Sequence, residues 1–155
     1  MALVDADFRT HGLRSCVRLP REPCAIVEGM LMKILALDYG SARTGVAVSD
    51  PTGTLARPVT TIARVDDARG FDELLAIVRA EGPELVVVGL PLTLRGEHGE
   101  QARATAEFVE RLRAAVEARV EMWDERFTSV LAHGDDARAA AHLLSSYLEW
   151  LGARS

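Results

Sequence analysis

KILALDYGSARTGVAVSD, residues 33–50, decides how the rest of the chain is read. Lys33 to Asp38 is a short apolar run that ends in an acid. Gly45 to Ser49 is a second apolar run, and the turn-like Tyr39-Gly40-Ser41-Ala42-Arg43 separates the two. Two such runs joined by a short polar loop predict a β-hairpin. Asp50-Pro51-Thr52-Gly53 is a strong turn signal. Pro58-Val59-Thr60-Thr61-Ile62 then reads as a third, edge-type strand, because proline cannot donate to an interior ladder.

Downstream the periodicity changes. Phe71, Leu74, Leu75 and Val78 recur at helical spacing before Glu81-Gly82-Pro83, which predicts an amphipathic helix stopped by glycine and proline. Leu85 to Leu90 is continuously apolar and rich in valine, the pattern of a strand buried on both faces. After a loop from Pro91 to Gly99, Ala102, Phe108, Val109, Leu112 and Val116 mark a second helix. Val120 to Trp123 predicts a fifth strand. A last helix is expected from about Asp136 to Leu151, with Ala140, Ala141, Leu144 and Leu148 on one stripe.

The resulting order, β-β-β-α-β-α-β-α, implies an α/β fold with a mixed five-stranded sheet flanked by helices, its first three strands antiparallel. Right-handed crossovers make the first, fourth and fifth strands parallel neighbours, so their carboxyl ends converge on one edge, where open α/β sheets bind ligands.

Composition narrows the class. With 155 residues, 48% apolar and 26% charged, the chain fits one globular domain, and no run approaches the roughly 20 apolar residues of a membrane span. The net charge of −5 excludes a nucleic-acid coat protein held by bulk positive charge. Cys16 and Cys24 both precede Met32, so the main domain has no cysteine framework, which fits a reducing compartment. Residues 1–31 lack a sustained apolar period and carry the breakers Gly12, Pro20, Pro23 and Gly29. We expect them to be a disordered extension without a secretory signal, and translation to start at Met30 or Met32, leaving 32–155 as the domain.

Four acids fall where the topology would gather them: Asp38 ends the first strand, Asp124 and Glu125 end the fifth, and Asp136 opens the last helix. Crowded carboxylates repel unless a cation sits between them, so the cluster is a candidate Mg²⁺ or Mn²⁺ site for phosphodiester hydrolysis. Each acid also has a plainer explanation, Asp136 as a helix cap above all. Strand alternation puts Asp124 with Val120 and Met122, and Glu125 with Glu121 and Trp123. Arg43 and Arg126 are candidate phosphate partners or salt-bridge partners of neighbouring acids. Thr128 could touch a phosphate or cap a helix. Arg95, with Thr93 and His98, belongs to the 91–99 loop, which could close over the site or simply be solvated. His142, among leucines, is expected to be a partly buried structural residue.

Four segments in order, ILALDYGSARTGVAVSD (34–50), VVVGLPLTLRGEHGEQA (86–102), DERFTS (124–129) and DARAAAHLLSSYL (136–148), resemble the signature segments of the YqgF (RuvX) family. That family is similar in fold to ribonuclease H and to the resolvase RuvC. The resemblance covers essentially all of Met32 to Leu151. It implies a cytoplasmic, divalent-metal-dependent nuclease that matures the 5′ end of pre-16S rRNA or resolves branched DNA, as a monomer or a homodimer. Carried over by position, its acids are Asp38, Asp124, Glu125 and Asp136. In one respect the chain departs from the family: only Val130 to Asp135 separates the DERFTS motif from Asp136, where a longer helix and polar loop are usual. A linker this short predicts either a displaced Asp136 or a lost nucleic-acid contact.

Two readings of other classes stand beside this one. Asp38-x-Gly40 with Thr44-Gly45 also resembles the phosphate hairpin of actin-like and sugar-kinase phosphotransferases, which need a second domain that this chain is too short to hold. A catalytically inactive RNA- or ribosome-binding adaptor would keep the fold and lose the chemistry.

Overall fold

The computed structural model describes residues 32–90, 100–124 and 135–154. The expected extension 1–31 lies outside them, as do the 91–99 loop and residues 125–134. The chain runs through β1 (Ile34–Asp38), β2 (Arg43–Ser49), β3 (Ala56–Ala63), α1 (Ala68–Glu81), β4 (Leu85–Leu90), α2 (Glu100–Ala115), β5 (Arg119–Asp124) and α3 (Asp136–Gly152). Every element expected from the sequence is present, in the expected order.

The strands form one sheet in the order β3-β2-β1-β4-β5. β1 pairs antiparallel with β2, and β2 with β3, while β1, β4 and β5 run parallel to one another. Pro58 sits on the edge strand β3, opposite Ala47, next to a register shift between Val46 and Ala47. A residue without an N–H is tolerated there because no further strand needs the bond.

Two-residue alternation sorts the side chains into two cores. Leu35 and Leu37 of β1, Val86 and Val88 of β4 and Val120 of β5 pack with Phe71, Leu74 and Val78 of α1 and Phe108, Val109 and Leu112 of α2. Ile34 and Ala36 of β1 and Leu85 and Val87 of β4 pack instead with Ala140, Leu143, Leu144 and Tyr147 of α3. The sheet is thus covered by α1 and α2 on one face and by α3 on the other, which is why β1 and β4 read as unbroken apolar runs.

The helix ends follow local chemistry. α1 stops at Gly82, whose left-handed backbone (φ 58°, ψ 48°) sends its N–H back to the Val78 carbonyl. This is the conformation glycine adopts without a Cβ penalty. Lys33 Nζ meets Glu81 Oε2 at 2.6 Å and Arg57 reaches Glu81 Oε1 at 3.1 Å, tying the start of β1, the end of α1 and β3 together. One expectation fails: His142 is exposed on α3, because the apolar face of that helix runs through Ala140, Leu143, Leu144 and Tyr147 and leaves position 142 toward solvent.

Candidate active site at the carboxyl edge of the sheet

Asp38 is the last residue of β1 and lies opposite Gly45 of β2. By alternation it leaves the sheet on the same face as Ile34 and Ala36, the face covered by α3. The amino end of α3 rests on β2 at that point. A Cβ on Gly45 would stand 1.7 Å from the Asp136 carbonyl oxygen and 3.0 Å from the Ala137 nitrogen, so only a glycine admits the helix this closely.

That approach sets Asp136 beside Asp38. The Asp38 carboxyl is pushed above its ordinary value, first by burial and then by the negative charge of Asp136. Asp136 Oδ2 accepts an ion pair from Arg43 Nε at 3.3 Å. The short linker therefore does not carry Asp136 away from the first strand.

Capping of α3 falls to Asp135. Its Oδ1 accepts the backbone N–H groups of Ala137 (3.2 Å) and Arg138 (3.3 Å), the duty expected of Asp136 in the plainer explanation. Asp136 occupies the first turn, with its carboxylate left to Arg43 and the neighbourhood of Asp38.

Asp124 ends β5 in register with Leu90 of β4, at the same carboxyl edge but two strands from Asp38, roughly 10 Å across the sheet. Val120 packs with α1 and α2, whereas Trp123 packs toward α3 and Glu121 bonds Tyr147 of α3. The two-residue period therefore sends Asp124 to the face opposite Asp38. Glu125, Arg126 and Thr128, and Arg95 in the 91–99 loop, lie outside the described residues.

Among the described residues no three acids, histidines or cysteines converge closely enough to hold an ion. What converges is a pair, Asp38 and Asp136, with Arg43 against it. Two carboxylates sharing a partly buried edge supply hard oxygen donors, and their repulsion would be relieved by a divalent cation, so the pair fits part of the oxygen shell of such an ion.

Behind the pair lies a support that the sequence reading missed. Tyr39, next to Asp38, points to the other face, stacks on Phe108 of α2 (ring centroids 4.7 Å apart) and donates its hydroxyl to Asp66 Oδ2 at 2.8 Å. Arg111 covers the Phe71 ring at 3.8 Å and donates to the Asp66 carbonyl at 2.8 Å. The end of β1 is thus fixed to α2 and to the loop before α1. The adjacency of an aromatic residue to the strand-end acid was the available signal.

A family model described as "RuvX: Holliday junction resolvase" matches residues 32–150. The chain belongs to the RuvX family. It is 50% identical over 99 residues to a protein of Chloroflexus aggregans named "Putative pre-16S rRNA nuclease", a match covering 64% of this chain and 70% of that one. A protein of the same name from Clostridium novyi is 37% identical over 133 residues, covering 76% of this chain and 98% of its own length. Thermus thermophilus RuvC, solved in complex with a Holliday junction substrate, is similar in fold, with a TM-score of 0.57 at 14% identity over 79% of this chain and 96% of that chain. At that identity the likeness speaks for the ribonuclease H-like fold alone. Membership of the RuvX family makes the chain a nuclease, the class its four motifs implied. Among the described residues of this RuvX chain no helix is long and apolar enough to cross a membrane.

Proposed function

We propose that this RuvX protein is a divalent-metal-dependent nuclease that processes the 5′ end of pre-16S rRNA in the cytoplasm. The observation that carries the reading is the approach of Asp136 to Asp38 across Gly45, two acids almost a hundred residues apart in sequence. In this reading Asp38 and Asp136 hold the ion, with a third carboxylate from the end of β5. Asp124 and Glu125 are both candidates for that place. Bound there, Mg²⁺ or Mn²⁺ would supply Lewis-acid activation of water and stabilisation of the leaving oxygen. Arg43, paired with Asp136, would bind and orient a phosphate through its guanidinium donors, and Arg126, Thr128 and Arg95 are the remaining candidates for nucleic-acid contacts.

A second reading, cleavage of branched DNA, is supported by the name of the matching family model. The two diverge in assembly. A resolvase must cut two strands and so calls for a symmetric dimer, whereas an RNA-trimming enzyme can act as a monomer.

The deciding experiment is cleavage of a pre-16S RNA fragment and of a four-way DNA junction side by side with Mg²⁺ or Mn²⁺, with molecular mass measured in the same buffer. We expect RNA cleavage that chelation and Asp38→Asn both abolish. An Asp38→Asn protein as active as the wild type would refute the assignment. RNA binding without cleavage would leave the adaptor reading in its place.

A further inference from the structure

We infer that Arg43 is an exchangeable counter-ion of the carboxylate pair: it neutralises Asp136 while the pair holds no divalent ion, and turns to a substrate phosphate when such an ion takes its place. Metal and nucleic acid then each favour the other's binding. The inference rests on the reading of Asp38 and Asp136 as metal-holding residues and adds the coupling between that site and the substrate.

The backbone of Arg43 is held and its side chain is not. It opens β2 opposite Ala63 of β3, and the preceding turn is closed so tightly that a Cβ on Gly40 would lie 2.5 Å from the Arg43 carbonyl oxygen. The next residue, Thr44, is fully buried. The Arg43 side chain, by contrast, is 64% exposed and meets Asp136, 32% exposed, through Nε at 3.3 Å. Compare the Lys33–Glu81 pair, whose side chains are 27% and 18% exposed and whose 2.6 Å contact joins two elements of the fold. Asp136 and Arg43 make a looser, wetter pair, of the kind whose partners exchange at little cost.

Electrostatics then sets the order of preference. A doubly charged ion shared by Asp38 and Asp136 offsets the repulsion within the pair, which a singly charged guanidinium at the rim of Asp136 does only in part. Once displaced, the guanidinium keeps its anchor on β2, beside the two acids, and its planar donors suit a phosphate oxygen pair. Because coupling between two binding sites is reciprocal, nucleic acid that captures Arg43 removes the competitor of the metal.

The test is a calorimetric titration of the full chain with MnCl₂, alone and with a phosphorothioate-linked RNA oligonucleotide that resists cleavage. The proteins compared are the wild type, Arg43→Ala, Arg43→Lys, Asp38→Asn and Arg79→Ala. The last removes an equal charge from the far end of α1, where Arg79 occupies the last turn. Exposed ion pairs are weak, so Arg43→Ala should bind Mn²⁺ alone more tightly by up to about fivefold. The oligonucleotide should tighten Mn²⁺ binding to the wild type and to Arg43→Lys, and not to Arg43→Ala. Mn²⁺ binding to Arg43→Ala that is equal to or weaker than that of the wild type overturns the exchange, as does equal tightening in Arg79→Ala. If in those cases Asp38→Asn still abolishes Mn²⁺ binding, the metal-site reading survives. A wild type that binds no Mn²⁺, or an Asp38→Asn variant that binds it equally well, overturns both.

Discussion

Gly45 and Asp136 occupy one another's space: the carbonyl oxygen of Asp136 sits where a side chain on Gly45 would begin. The bare backbone of β2 is the seat of α3, and the distance from Asp136 to Asp38 is set there. Replacing Gly45 with alanine forces either the helix or the strand to move. We expect destabilisation of about 1–3 kcal/mol, the usual cost of overpacking, together with loss of cleavage. Urea denaturation with and without Mn²⁺ checks both parts, since a shifted α3 should also lose the stabilisation that metal gives the wild type.

Asp135 and Asp136 are neighbours with separate duties. Asp135→Ala removes the acceptor for two N–H groups at the start of α3 and should cost about 1 kcal/mol, with most of the activity retained at permissive temperature. Asp135→Ser should restore the stability, because serine caps nearly as well. Asp136→Asn should leave stability almost unchanged and abolish cleavage. If the two phenotypes are exchanged in thermal melts and activity assays, the assignment of roles is wrong.

Asp38→Asn separates stability from activity in the opposite sense. Burial and the charge of Asp136 raise the Asp38 carboxyl above its ordinary value, so the folded protein holds that proton more tightly than the unfolded chain. Metal-free wild type should therefore lose stability as pH rises above the ordinary carboxylate value and through the raised one. The asparagine variant should lack this contribution and be the more stable of the two at neutral pH without metal. Its activity should fall by more than about 100-fold, since removing even an outer-shell partner of a metal site costs about 10- to 100-fold. Melting temperatures across pH in chelator, set against cleavage rates in Mg²⁺, test the trade.

Asp50 gives the fold an acid-sensitive turn. Its Oδ1 accepts the N–H groups of Thr54 and Leu55 at 2.8 Å each, and its Oδ2 accepts the hydroxyl of Thr52. These bonds, that from Leu55 foremost, lower its carboxyl to about 2. A depressed carboxyl contributes stability that is complete above the unfolded value and is lost as pH falls through the folded one. Asp50 lies partly exposed in a surface turn, so the effect should be small. The melting temperature of Asp50→Asn should fall less steeply than that of the wild type between about pH 4 and pH 2, and parallel curves would contradict this.

How far the sequence could carry these conclusions depended on which signals are periodic. β1 and β4 announce themselves because residues on both of their faces are buried, and Pro58 marks the edge strand by chemistry alone. Strand order followed from handedness, and with it the approach of Asp38 to the start of the last helix. Single-residue phase was harder to read. Asp135 and Asp136 are chemically identical, so only the geometry of the cap tells them apart. His142 lies one step off the stripe that buries Leu143 and Leu144. Gly45 carried a hint, since an isolated glycine in a strand often marks a close backbone approach, but the sequence does not say what approaches. Of the acids of the DERFTS motif, Asp124 ends β5, and Glu125 lies beyond the described residues.

α3 carries Asp136 and also supplies the helical covering over Ile34, Ala36 and Val87. The helix that closes this face of the sheet is therefore the same one that brings the second acid of the pair. A nascent or truncated chain ending before residue 136 has an open hydrophobic surface and half of its acidic pair, so premature fragments should be harmless to RNA and ready prey for proteases. Covering of that apolar face and assembly of the acid pair become one event.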